Sequence, residues 1–221
     1  KEILPNKYVV LEGNRRVTAM KEIVGNRDGV SDAIIKTFNR IQANKFSYTP
    51  NEDYAEEEVI SILLAKIHIS SPLGWGAMEK SRVLYDQYLK ELKIHLSTDV
   101  NYENFTLLKE PMQNVTEMFD LQRGHAKKNI KTYQIYKQLI DNEYEIDTDR
   151  FTLIEMATGD AILSDYFEMQ ENVLFSHAGL ERFYKLCVEK ECPVSNPQSF
   201  RKLAYIIKNG EKTHLNLVIS R

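Results

Sequence analysis

The sequence predicts an α+β chain: a small α/β region followed by an all-α region that contains a helix-turn-helix. Three observations carry this expectation. Short extended, β-like runs cluster before residue 68, they then disappear until the C-terminus, and from Ala77 onward apolar residues recur at helical spacing.

The elements follow in order. Lys1 to Leu4 and Lys7 to Glu12 read as two extended runs split by Pro5-Asn6, a turn pair that suits a hairpin. Asn14 can cap a helix that runs to about Val24 and stops at Gly25-Asn26. Ser31 opens a second helix with Ile34, Ile35, Phe38 and Ile41 on one face, and Phe46 to Thr49 reads as a strand closed by Pro50. Glu52, Asp53, Glu56, Glu57 and Glu58 crowd the start of the next helix. The helix dipole favours acids there, so a solvated helix start is a better reading than a metal site.

Pro72-Leu73-Gly74 breaks the chain before an amphipathic helix from Ala77 to His95, and Leu96 to Asn104 is a polar loop. Met112 to Ile140 is helical with one interruption. Asp141 to Asp149 holds five acids and no base and reads as a linker. Beyond it the chain is helical to about Asn209, with turn signals at Gly159, Pro193 and Pro197, and His214 to Ser220 reads as a closing strand. Tyr166, Phe167, Leu180, Phe183, Tyr184 and Leu186 recur at helical spacing and are expected in a core. The expected organisation is therefore a first domain at 1–68, a helical domain with the helix-turn-helix at 69–145, and a C-terminal helical region at 146–221.

At 221 residues, with 43% hydrophobic and 28% charged side chains, the composition is that of a soluble globular protein. The longest apolar runs, such as Ile62 to Ala65, are too short to span a bilayer, which argues against a membrane partner. No charged-then-apolar leader opens the text, and Cys187 and Cys192 lack the neighbours of a zinc site, so a cytoplasmic protein with reduced thiols is expected. The first residue, Lys1, falls in what reads as mid-strand, so upstream sequence is expected. A net charge of -3 disfavours a broad polyanion binder and leaves room for a local basic face.

Two segments carry chemistry. At Gly13-Asn14-Arg15-Arg16 a glycine permits a sharp turn, amides at the helix start point outward, and two guanidinium forks match phosphate oxygens. Glu12 and Asn14 could hold a divalent ion beside those phosphates. On spacing alone, a phosphate site and a solvated surface turn are evenly matched. The second segment, "VTEMFDLQRGHAKKNIKTYQIYKQL", has the spacing of a helix-turn-helix. Val115, Phe119, Leu121, Ala126 and Ile130 would lock two helices, and Asp120 would occupy the turn. The second helix would expose Gln122, Arg123, His125, Lys127, Lys128 and Lys131, with no acid between Leu121 and Ile140. Gln122 and Arg123 suit base edges and the lysines suit phosphates of double-stranded DNA. The competing reading is a basic, solvated helix of an α-domain.

The stretch "KEILPNKYVVLEGNRRVTAMKEIV" resembles the ParB/sulfiredoxin-like family, in which a hairpin leads into a G-x-x-R or G-E-R-R box and a helix with small residues. Gly13 to Arg16 match the box, and Val17-Thr18-Ala19-Met20-Lys21 match its helix. The resemblance implies a ParB/sulfiredoxin-like domain that binds CTP or ATP with Mg2+ through Gly13, Asn14, Arg15, Arg16 and Thr18, with Glu12 as the metal candidate. "GWGAMEKSRVLYDQY" resembles a later ParB segment, with Trp75 as the apolar anchor and Glu79 as the matching glutamate. Asn14 replaces the acid of G-E-R-R. Where the family has E-N-x-x-R this chain has "LLAKIHIS", with His68 in place of the arginine, so turnover of the nucleotide is not implied. In ParB proteins a helix-turn-helix follows the nucleotide domain, as it would here; a homodimer is expected separately, because helix-turn-helix proteins usually read paired half-sites. The expected function is a nucleotide-responsive DNA-binding protein of partition, regulation or mobile-element and defence type. The alternatives are a nuclease or nucleotide-dependent phosphotransferase of the same fold, and a protein-interaction module.

Overall fold

The N-terminal hairpin forms, but among the described residues no larger sheet grows from it. In the computed structural model, which describes residues 2–4, 7–26, 28–48, 55–70, 76–101 and 104–209, strand β1 (Glu2–Leu4) pairs antiparallel with β2 (Lys7–Tyr8). Glu2 lies opposite Tyr8 and Leu4 opposite Lys7. Apart from a single bridge between Met169 and Phe175, this is the only ladder among the described residues. The described residues are 66% helix and 2% strand, so the expected α+β class, with its small α/β domain, is corrected to a helical one.

The physical reason is coverage. A two-stranded ribbon buries no face of its own and needs further strands or a packed helix to persist as a sheet. Tyr8 and Val9 instead remain 51% and 43% exposed. Phe46, Ser47 and Tyr48, expected in a strand, are irregular. The expected strand at 214–220 and the anchor Trp75 lie outside the described residues.

The chain divides into two units, Lys1–Leu64 and Ala65–Arg221. The first contains the hairpin, helix α1 (Asn14–Gly25) and helix α2 (Asp32–Phe38), which pack on each other. Ser31 caps α2 by accepting the Ile34 amide, and Ile35 is its buried residue. No residue of α1 is buried. Helix α3 (Glu56–Ser70) begins with Glu56, Glu57 and Glu58 in its first turn, where the dipole favours them, and runs across the division.

The second unit is built around two apolar clusters. Helices α4 (Ala77–Leu96), α5 (Lys109–Phe119) and α6 (Arg123–Asp141) pack on one another through Leu84, Tyr88, Leu92, Met112, Val115, Phe119, Ala126 and Ile130. The Tyr88 hydroxyl donates to the Thr106 carbonyl at 2.6 Å and accepts the Leu108 amide at 2.8 Å, so α4 fixes the segment that leads into α5. Burial pushes that hydroxyl up to about 12.

A 3-10 turn at Thr148–Arg150 leads into α7 (Phe151–Gly159), followed by α8 (Ala161–Tyr166), α9 (His177–Cys187) and α10 (Pro197–Lys208). Asp160, Ser176 and Asn196 cap the last three helices with their side chains, and Pro197 occupies the first helical position of α10. Phe167, Phe175, Phe183 and Phe200 form the centre of this cluster, and Ile135 and Leu139 of α6 enter it. Leu180 and Leu186, expected in a core, are buried there, with Tyr166 and Tyr184 partly buried against it. Helix α6 thus serves both clusters, its first half the α4–α5 cluster and its second half this one. Both cysteines are free, and among the described residues no helix is long and apolar enough to cross a membrane.

Candidate nucleic-acid interface

Helix α5 ends at Asp120, which takes the left-handed conformation (φ 53°, ψ 53°). An Asp pays a smaller penalty there than most residues, because its short polar side chain tolerates the left-handed region. The turn is closed by the Leu121 amide, which donates to the Thr116 carbonyl at 2.9 Å, the 6→1 bond of a Schellman end. Gln122 precedes α6, and its carbonyl accepts the His125 and Ala126 amides at 3.0 and 3.1 Å. Val115, Phe119, Ala126 and Ile130 are buried between the helices, as the spacing requires, and Leu121 is half-buried.

Polar contacts then fix the orientation of α6. Ser81 on α4 donates to Asn129 Oδ1 at 2.7 Å, and Asn129 Nδ2 donates to the His125 carbonyl at 2.8 Å. Tyr85 donates to Gln134 Oε1 at 2.6 Å, a buried contact. From the other side, the hydroxyls of Thr132 and Thr158 on α7 lie 3.0 Å apart. Each buried polar group here would be costly to leave without its partner, so these contacts favour one rotation of α6 over its alternatives.

That rotation leaves an outer row. Arg123 and Lys127 are exposed and Lys131 half-buried, at four-residue steps along one side of the helix. No carboxylate among the described residues pairs with any of the three. Burial, and then the charge of Lys127, holds the Lys131 ammonium below the usual lysine value. A row of cations that repel one another on a half-desolvated helix is a surface that gains from an incoming anion. Gln122 and His125 are exposed beside it. Lys128, grouped with these residues in the sequence reading, turns instead toward α7, where its ammonium lies 2.8 Å from Glu155 Oε1.

Gly124, in the first turn of α6, is exposed, and a Cβ added there meets nothing within 4 Å. Gly124→Ala is therefore expected to stabilise the chain by about 0.5–1 kcal/mol, since glycine costs roughly that much in a helix. The check is a rise of roughly 2–4 °C in Tm per kcal/mol for a chain of this size.

The other sequence candidate lies in the first unit. Gly13 precedes α1 with φ 87° and ψ 17°, a left-handed conformation that glycine adopts freely, and its carbonyl accepts the Val17 amide at 3.0 Å. The Arg16 guanidinium folds back over it, so that a Cβ on Gly13 would lie 3.3 Å from Nη2. Glu12, Asn14, Arg15, Arg16 and Thr18 are exposed, and no acid occupies the first turn of α1. No carboxylate among the described residues pairs with Arg15 or Arg16. Among the described residues no group of three His, Cys, Asp or Glu side chains gathers to hold a metal. His68 is half-buried on α3, and Glu79 pairs with Arg82 at 2.6 Å on the surface of α4.

Neither a protein-family model, nor a curated protein, nor a solved structure matches this chain, so these comparisons neither support nor oppose the ParB-like resemblance. The residues that sequence reading missed are Ser81, Tyr85, Gln134, Glu155 and Thr158. Each acts through a partner far away in the chain, and nothing in the local pattern announces the pairing.

Proposed function

We propose that this chain binds duplex DNA through α5, the turn at Asp120 and α6, with the outer face of α6 set against the nucleic acid. The observation that carries the reading is the row Arg123, Lys127 and Lys131: three cations without carboxylate partners among the described residues, on a helix whose rotation is fixed by buried contacts. Phosphates would neutralise the row, while Gln122 and Arg123, at the start of the helix, have the donors that read base edges. Pairing of two chains across neighbouring half-sites is part of the same proposal. A fluorescence-anisotropy titration of a labelled duplex at several salt concentrations tests it. The expected result is a linear fall of log affinity with log salt, and no binding at low salt overturns the reading.

A second reading is favoured by one observation, the Arg16 fork folded over a left-handed Gly13 at the start of α1. It makes 13–16 a site for the phosphates of a nucleotide, CTP or ATP with Mg2+, that modulates DNA binding. Arg16→Ala is expected to weaken nucleotide binding at least tenfold in calorimetric titration with each nucleotide. Equal binding by the variant and the parent would remove the site. Phosphate release with and without DNA separates this reading from a nuclease or phosphotransferase.

A further inference from the structure

Lys128 follows Lys127 by one residue and is therefore turned about 100° around the helix from it, out of the row 123–127–131 and toward α7. Its ammonium lies 2.8 Å from Glu155, with the two side chains 46% and 31% exposed. Its stem passes beside Gly159 at the end of α7, where a Cβ would make only an ordinary contact with the Lys128 Cε at 3.6 Å. The Thr132–Thr158 contact, one turn further along α6, keeps the two helices in register. Lys128 is thus a cation of the recognition helix that already has an anion, supplied by the protein.

We infer that the Lys128–Glu155 pair bounds the DNA-contacting face of α6, so that the phosphate backbone follows Arg123, Lys127 and Lys131 and is kept off the α7 side. The inference rests on the DNA-binding reading above and specifies where its footprint ends. A phosphate placed near Lys128 would have to displace Glu155 and would face its freed carboxylate at close range. The displaced ion pair offsets what the new one contributes, so no net counterion is released there.

The test is a set of anisotropy–salt titrations on one duplex with the full chain. Lys127→Ala is expected to flatten the log–log slope by about one and Lys128→Ala to leave it unchanged. Glu155→Gln, which frees Lys128 without changing side-chain shape, is expected to steepen the slope by about one and to raise affinity roughly five- to tenfold near 0.1 M salt. Adding Lys128→Ala to Glu155→Gln should return the slope to that of the parent. Glu181→Gln removes one negative charge and frees Lys185 on α9, its 2.6 Å partner, and is expected to leave the slope where it was. Glu155→Ala, checked for folding by circular dichroism, repeats the experiment with a second side chain. A slope that falls by one in Lys128→Ala alone, or that stays fixed in both Glu155 variants while Lys127→Ala changes it, overturns the inference and leaves the DNA reading standing. A parent chain that binds no duplex overturns both.

Discussion

Arg123→Ala, Lys127→Ala and Lys131→Ala combined are expected to flatten the dependence of log affinity on log salt by close to three and to weaken duplex binding by about two to three orders of magnitude near 0.1 M salt. Each of these side chains lacks a carboxylate partner among the described residues, so each is available to displace counterions from one phosphate. The loss should be similar for cognate and random duplexes for the two lysines, which carry charge without geometry. Arg123 has a planar fork and should contribute to sequence preference as well. Folding is not expected to suffer. Two of the three side chains are exposed, and the third is a half-buried lysine whose ammonium is disfavoured by burial and by Lys127. Circular dichroism that matches the parent, together with a collapsed salt slope, is the expected pair of results. An unchanged slope would move the DNA contact off α6.

Gly179→Ala is expected to produce the largest loss of stability. Gly179 lies in the first turn of α9, where a Cβ would overlap the carbonyl oxygen of Phe167 and lie 2.7 Å from its carbonyl carbon. The obstruction is backbone, and that backbone has little freedom to give way. The Gly179 amide donates to Ser176 Oγ at 3.0 Å, and Ser176 in turn donates to Glu168. Arg182, one turn further along α9, donates to the Tyr166 carbonyl and, at 3.0 Å, to Glu168 Oε1. Glu168 itself is held left-handed at φ 54°. The turn at 166–168 is therefore gripped by α9, and a methyl group can be accommodated only by moving the helix away from Phe167. That movement separates rings whose centroids lie 5.2 Å (Phe183) and 5.5 Å (Phe175) from Phe167. A cost of about 3 kcal/mol, the upper end of the range for overpacking, is expected, and with it a fall of roughly 6–12 °C in Tm. Gly124→Ala is the matched control: the same substitution in the first turn of another helix, at a position open to solvent, with the opposite sign. A Tm for Gly179→Ala within a degree of the parent would refute the packing argument.

How far the sequence discloses this arrangement depends on the range of the interactions involved. Helix α4 was expected from Ala77 to His95 and runs Ala77–Leu96, because its apolar spacing is a local property that packing reinforces. The left-handed turn at Asp120 and the buried Val115, Phe119, Ala126 and Ile130 likewise follow from a pattern confined to one short stretch. The α/β expectation failed for the complementary reason. "KYVVLE" is a run of strand formers, but such a run states only what a strand would bury, and among the described residues no neighbouring strand beyond β1 supplies the surface. On α6 the run Lys127-Lys128 looks uniform in sequence. Only the fold separates them, since the acid that engages Lys128 arrives from Glu155. Ser81 and Asn129 are similar: two polar residues on apolar faces become intelligible once they meet at 2.7 Å.

The sharing of α6 between two apolar clusters has a consequence for how damage spreads. Ala126 and Ile130 are buried with α4 and α5, whereas Ile135 and Leu139, two and three turns later, are buried with Leu203 of α10. A lesion at Leu203 is expected to loosen the cluster that holds the far end of α6, and through it the basic end of the same helix. Changes among the C-terminal helices are therefore expected to disturb the surface offered at Arg123, as they would not if the two were separable modules.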